Sequence, residues 1–194
     1  MLIFRGLYSA RSGSSAPELV RQAVALTIGN FDGVHLGHQA LLNQLSEAAK
    51  SRGLPTAVLT FEPHPREFFM PQQAPARLTS MREKLEFFAK IGIDQVHVCR
   101  FNAHFAHMTA QDFMRAICQK LAAKFILVGD DFRFGSKRAG DFALMNKMSA
   151  EYGVTVQAMS SVLLNDERIS STTIRAALAA GNLPAANDFL GRAY

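Results

Sequence analysis

Cysteine is scarce in this 194-residue chain: Cys99 and Cys118 lie far apart and form no Cys-x-x-Cys pair. That excludes a disulfide framework and a cysteine-type zinc site, and a reducing compartment is the simpler expectation. Long apolar runs are missing too, so no segment approaches membrane-spanning length. The apolar start, Met1 to Phe4, is broken at once by Arg5, with no hydrophobic region or cleavage site behind it. A cytoplasmic protein without a membrane segment is therefore expected. There is no internal repeat and no low-complexity segment. Lysine and arginine outnumber aspartate and glutamate by 21 to 16, which suits anionic partners. The cations form no run of five, no tract interleaved with aromatics and no recognisable reading helix, which argues against nucleic acid. Neither the dinucleotide fingerprint GxGxxG nor the GxxxxGK[ST] loop occurs, and no Ser-His-Asp or Cys-His constellation stands out.

What is present is ordinary globular composition, 48% apolar and 19% charged, and enough chain to bury one core without staples. A short strand is expected over Leu2 to Leu7, followed by a loop over Ser9 to Pro17. A regular alternation then begins. Strands are expected at Ala23–Gly29, Thr56–Phe61, Gln95–Phe101, Phe125–Gly129 and Val154–Ala158. Helices are expected at His38–Ser51, from the capping box Ser80-x-x-Glu83 through Lys90, from Thr109-x-x-Asp112 to about Ala123, and at Phe142–Tyr152. The proline-rich stretch Glu62–Arg77 reads as loop. A β-like piece, Val162–Ile169, turns at Asn165-Asp166 and leads to a helix starting near Ser171; two short helices finish the chain. Strands alternating with helices of about a dozen residues give an α/β domain, a doubly wound parallel sheet. Such sheets bind ligands beyond the carboxyl ends of their strands.

Four loops at that end hold the unusual chemistry. The first runs from Gly29, Asn30, Phe31 and Asp32 to His38 and opens a helix, so its backbone N–H groups and the helix dipole face a ligand. His35 and His38 flank Gly37 and can donate to phosphate oxygens. A metal site completed by His64, or a pair of merely solvated histidines, are the competing readings. The second loop carries Phe61, Pro63, His64, Pro65 and Arg66, then Phe68 and Phe69. Its prolines hold His64 extended, and its rings either stack on a flat ligand or belong to the core. The third loop places Asp130, Asp131, Phe132, Arg133 and Phe134 in one short turn, able to bind a ring N–H, a ribose hydroxyl or Mg²⁺. The fourth sets Ser170, Ser171, Thr172 and Thr173 at a helix start with Arg175 one turn inside. Each hydroxyl alone is an ordinary cap, and together they form a polyphosphate cradle.

His35-Leu36-Gly37-His38 resembles the HxGH signature of the nucleotidylyltransferase superfamily, and Ser170-Ser171-Thr172-Thr173-Ile174-Arg175 resembles its ISSTxIR signature. The strings GNFDGVHLGH, TFEPHP, ARLTS-x-x-EK, VGDDFRFG-x-x-x-x-GD and ISSTTIR, in this order, are similar to the FMN adenylyltransferase module of prokaryotic bifunctional riboflavin kinase/FMN adenylyltransferases. The resemblance implies a Rossmann-like fold with a small β-containing insertion near 160–170. It also implies transfer of AMP from ATP to FMN, with Mg²⁺, giving FAD and pyrophosphate. It implies catalytic roles for His35, His38 and Arg175, and ATP binding by Gly29, Asn30, Phe31, Gly37, Ser170, Ser171 and Thr172. Phe61, Pro63, His64, Pro65, Asp131, Phe132 and Arg133 would form the flavin side, and no side chain is assigned as a metal ligand. Residues 1–186 would be the catalytic domain. Residues 187–194 resemble the junction to a riboflavin kinase module absent here, so a domain cut from a longer protein without kinase activity is expected. The alternatives are a relative with another phosphorylated acceptor, a non-catalytic flavin- or nucleotide-binding module, and a flavoprotein oxidoreductase.

Overall fold

The computed structural model describes residues 1–7 and 22–194; the loop expected over Ser9 to Pro17 lies outside them. Six strands form one parallel sheet: β1 (Leu2–Arg5), β2 (Val24–Ile28), β3 (Thr56–Glu62), β4 (Gln95–Arg100), β5 (Ala123–Gly129) and β6 (Thr155–Met159). Their spatial order is β1-β4-β3-β2-β5-β6. From β2 the chain steps outward through β3 to β4, then returns to β5 on the other side of β2 and continues to β6. The order therefore reverses between β2 and β5, which makes the gap at their carboxyl ends the switch point of the sheet.

The central strands are apolar on both faces because both faces are covered. One face carries Ala25, Val58, Val96, Phe125 and Leu127 against Leu41, Leu42 and Leu45 of α1 (Leu36–Ser51) and Phe88 of α3 (Met81–Ile91). The other carries Leu26, Ile28, Ala57, Leu59, Ile126 and Val128 against Phe113 and Met114 of α5 (Ala110–Arg115) and Met145 of α6 (Phe142–Glu151). This is the doubly wound α/β arrangement. A third apolar cluster joins Leu78 and Ile169 to α7 (Ser171–Ala179) and α8 (Leu183–Leu190) through Ile174, Ala186, Phe189 and Leu190. Among the described residues no helix is long and apolar enough to cross a membrane.

The structure departs from the sequence reading in four places. Glu62–Arg77 is not all loop, since α2 (Pro65–Phe69) forms inside it. Pro65 occupies the first helical position, where its missing N–H costs nothing, and the His64 ring and Glu67 carboxylate complete a capping box. Proline thus starts this helix instead of breaking it. A short α4 (Ala103–Ala106) follows β4, capped by Asn102. The helix opened by Thr109 is regular to Arg115, widens into a π-turn over Ala116–Lys120 and ends there. The strand expected to reach Leu7 stops at Arg5. The insertion near 160–170 is a two-stranded antiparallel ribbon, β7 (Leu163–Leu164) with β8 (Glu167–Arg168). Asn165 and Asp166 both have positive φ, 51° and 63°, as a tight primed hairpin turn requires.

Candidate active site

A cleft of about 420 Å³ opens at the switch point. Its walls come from the loops after β2, β3, β5 and β6 and from the start of α7. Four segments separated by tens of residues meet there because parallel strands deliver all their carboxyl ends to one edge.

The loop after β2 is held from several sides. Asp32 is 3% exposed. Its carboxylate accepts from the Leu78 and Thr79 N–H groups (3.0 and 3.1 Å) and forms an ion pair with Arg175. The Gly33 N–H donates to the Thr79 hydroxyl at 2.9 Å. Phe31 and Val34 sit at φ 50° and 37°, a region that non-glycine residues adopt only where the surroundings enforce it.

The two histidines lie at the start of α1 with rings stacked, centroids 3.6 Å apart. His35 is the N-cap, its Nδ1 accepting the His38 N–H at 3.3 Å. Its proton, in the neutral form, is therefore on Nε2. Burial pushes His35 down to about 4, against the pull of Asp32. Burial also holds His38 well below the usual imidazole range, helped by the charges of His35 and Lys84. At neutral pH both rings are uncharged donors, not imidazolium cations. Parallel stacked rings with one Nδ1 already engaged do not aim lone pairs at a common ion. His64, the third candidate ligand, spends its own Nδ1 on the Arg66 N–H at 3.1 Å. Gly37 fits closely beside them, since a Cβ there would lie 3.2 Å from the His35 ring.

Across the cleft, α7 presents its own N-terminus. Ser170 is its cap, accepting the Thr173 N–H at 3.1 Å. The Ser171 hydroxyl donates to the Asp32 carbonyl at 2.8 Å, which ties α7 to the histidine loop. Thr172 lines the cleft and is exposed. Arg175 also lines it, but its guanidinium is already engaged by Asp32, by the Ala76 carbonyl at 2.7 Å and by the Ser171 carbonyl at 3.3 Å. Arg168 adds a further cation and pairs with Asp131 at 2.6 Å. Two helix N-termini, those of α1 and α7, thus converge on one cleft, a field suited to a polyanion.

The third group of sequence candidates divides. His64, Pro65, Asp131 and Phe132 line the cleft, as do Gly29, Asn30, Phe31, Gly37, Ser170, Ser171 and Thr172. Phe61, Pro63 and Arg133 are not among its walls. Phe61 packs instead against Phe101 and Phe105, with centroids 6.0 and 5.3 Å away. Arg133 faces Asp141 at 4.0 Å. Sequence reasoning missed Asp32, whose only signal was an acidic residue inside a glycine-rich loop. It gave no role to Arg168, which stands at the start of the fourth loop. Among the described residues no group of three His, Cys, Asp or Glu is placed to hold a metal ion. Asp130 accepts from the Ser161 N–H and hydroxyl, both at 3.2 Å.

The family described as FAD synthetase matches residues 18–173. The bifunctional riboflavin kinase/FMN adenylyltransferase of Escherichia coli (strain K12) is 46% identical over 195 aligned positions, covering 100% of this chain and 60% of that protein. The protein of the same name from Haemophilus influenzae is 45% identical, covering 100% of this chain and 61% of its own length. The chain thus spans about three fifths of the curated relatives it matches. A solved structure titled as a macrolide-efflux protein from Streptococcus pneumoniae aligns with a TM-score of 0.80 at 27% identity, over 99% of this chain and 62% of that one.

Proposed function

This chain belongs to the FAD synthetase family, and from that premise we propose that it transfers the AMP moiety of ATP to FMN, forming FAD and pyrophosphate. An FMN phosphate oxygen attacks the α-phosphorus in line. One P–O bond forms, the bond to the β-phosphate breaks, and pyrophosphate leaves with the electron pair. The nucleophile is already an anion, so the protein needs no general base and no covalent intermediate. Catalysis is then positioning and charge stabilisation.

The observation that carries this reading is the convergence of two helix N-termini and a pair of uncharged histidines on one cleft. His35 and His38 would donate to the α-phosphate oxygens as charge develops. Ser170, Ser171 and Thr172 at the head of α7, with Arg168 beside them, would take the β- and γ-phosphates. Arg175 would add its charge there while anchored on Asp32. Gly29, Asn30, Phe31 and Gly37 would border the adenosine. His64, Pro65, Asp131 and Phe132 would border the flavin, with Phe61, Pro63 and Arg133 as support behind that wall. Mg²⁺ would arrive as part of the MgATP substrate. A riboflavin kinase module is the expected neighbour in the whole protein, by analogy with the relatives' names.

The test is chromatographic separation of products after incubation with MgATP and either FMN or riboflavin. FAD from FMN, with no phosphorylated product from riboflavin, is expected. His38→Ala should cost roughly 10²–10³ in rate, the usual loss of one such donor, with unchanged circular dichroism. Wild-type turnover in that variant would overturn the phosphate assignment. No product from FMN would point to another acceptor.

A further inference from the structure

Lys84 is the one lysine or arginine buried among the described residues, 3% exposed. It lies on α3 behind the cleft and lines none of it. Its ammonium donates to the Asn30 carbonyl at 3.1 Å. Burying a charge is costly, and lysine is almost never buried unless something requires it. A neutral donor would satisfy one carbonyl at a smaller desolvation cost. The cation therefore needs a reason beyond that single bond.

The surroundings supply one. Phe88, one turn further along the same face of α3, is fully buried and meets the Phe31 ring edge-on at 5.4 Å. Phe31 carries positive φ and stands between Phe88 and the His38 ring, whose centroid is 5.1 Å away. Lys84 and Phe88 thus grip two consecutive residues of the histidine loop. Leu78 and Thr79, just ahead of the helix, hold Asp32 and Gly33 of the same loop. Asn30 Oδ1 and His38 Nδ1 are buried near this grip with no partner among the described residues. The charge of Lys84 acts on both His38 and His64, and the carboxylates of Asp32, Glu62 and Glu67 act on Lys84.

We propose that Lys84 is a positioning residue for nucleotidyl transfer. Its buried ammonium fixes Asn30 and, with Phe88, sets Phe31 and His38, while its charge lies beneath the phosphate-binding wall. The proposal rests on the adenylyl-transfer reading of the cleft. Lys84→Met keeps the length of the side chain and removes both donor and charge. It should fold, as judged by circular dichroism and melting, and lower kcat about tenfold or more, since misplacement of an ångström can cost ~10²-fold. Its His38 ring, followed by NMR, should shift and take up a proton at higher pH than in the wild type, while the remote His97 ring stays in place. Loss of stability alone would not move His38. Wild-type turnover with an unmoved His38 signal overturns the proposal, and so does a melting temperature lowered without movement of His38. Should Lys84→Met not fold, Lys84→Gln, which keeps a donor for the Asn30 carbonyl, is read by the same criteria. Absence of FAD from the wild type would strike the adenylyl-transfer reading instead, and the His38 signal would still decide the role of Lys84.

Discussion

Two loops leave neighbouring strands at the same edge of the sheet and are built on opposite principles. The loop after β2 is buried and held from afar. Asp32, Phe31 and Val34 are 3%, 1% and 0% exposed; Asp32 is held by Leu78 and Thr79 and by Arg175 of α7, and Phe31 meets Phe88 of α3. The segment after β3 is held largely by its own residues, with Phe68 and Phe69 resting on Phe101. Its helix is capped by its own His64 and Glu67. Arg77 ties it down through Glu62 and Glu67 at 2.7 and 2.5 Å, and Phe69 and Met70 stay 61% and 48% exposed. The lesson concerns where rigidity comes from. The positive-φ backbone of the buried Phe31 and Val34 persists where the surroundings over-determine it. A capping box needs only its own few residues.

The largest effect that would break this contrast is expected at Asp32. Asp32→Ala strips Arg175 of its carboxylate and orphans the Leu78 and Thr79 N–H groups. Removing one partner of a buried pair costs about 3–5 kcal/mol, to be read by chemical denaturation. A loss near zero would mean that the loop holds itself.

A middle-sized effect sharpens the contrast through pH. The folded His35 titrates near 4, below its ordinary value of 6.5. The unfolded chain therefore binds a proton first as pH falls. Stability from this group is full above 6.5, declines on acidification and stops declining near 4. His38 is shifted in the same direction, and so is His97, which lies outside the cleft, stacks on Phe4 and is also held at about 4 by burial. Melting temperature should fall steadily from pH 6.5 toward 4. His35→Gln should flatten that slope more than His64→Gln, because His64 sits in the self-held segment and is less buried. Equal slopes in both variants would erase the distinction.

The smallest effect belongs to Arg77. Its ion pairs are half-exposed, so Arg77→Gln should cost about 1 kcal/mol or less, measured by thermal melting. A loss comparable to that of Asp32→Ala would show the second segment to be as tightly built as the first.

Much of the fold was legible in the chain. The run Val24–Ile28 is too short and too evenly apolar for an amphipathic helix, and Ser80-x-x-Glu83 announces its helix in four residues. The proline-rich stretch misled because Pro63 and Pro65 read as breakers, while Pro65 in fact begins a helix. The π-turn at Ala116–Lys120 has no local signature. At the site, the hydroxyls before α7 and the two histidines could be found by residue type. Phe61 could not be placed, since an aromatic at a strand end serves a core or a ligand equally well until its neighbours are known.

By itself, then, the sequence determined the alternation of strands and helices, the edge where the loops would gather, and the two capped helix starts that meet there. These follow from periodicity, caps and hydroxyl clusters, all of which act within a few residues. The tertiary structure alone decided that Asp32 pairs with Arg175, that His35 and His38 are uncharged, and that Lys84 lies beneath the cleft. Burial and pairing across 143 positions depend on which strands become neighbours, and no local pattern encodes the desolvation that follows.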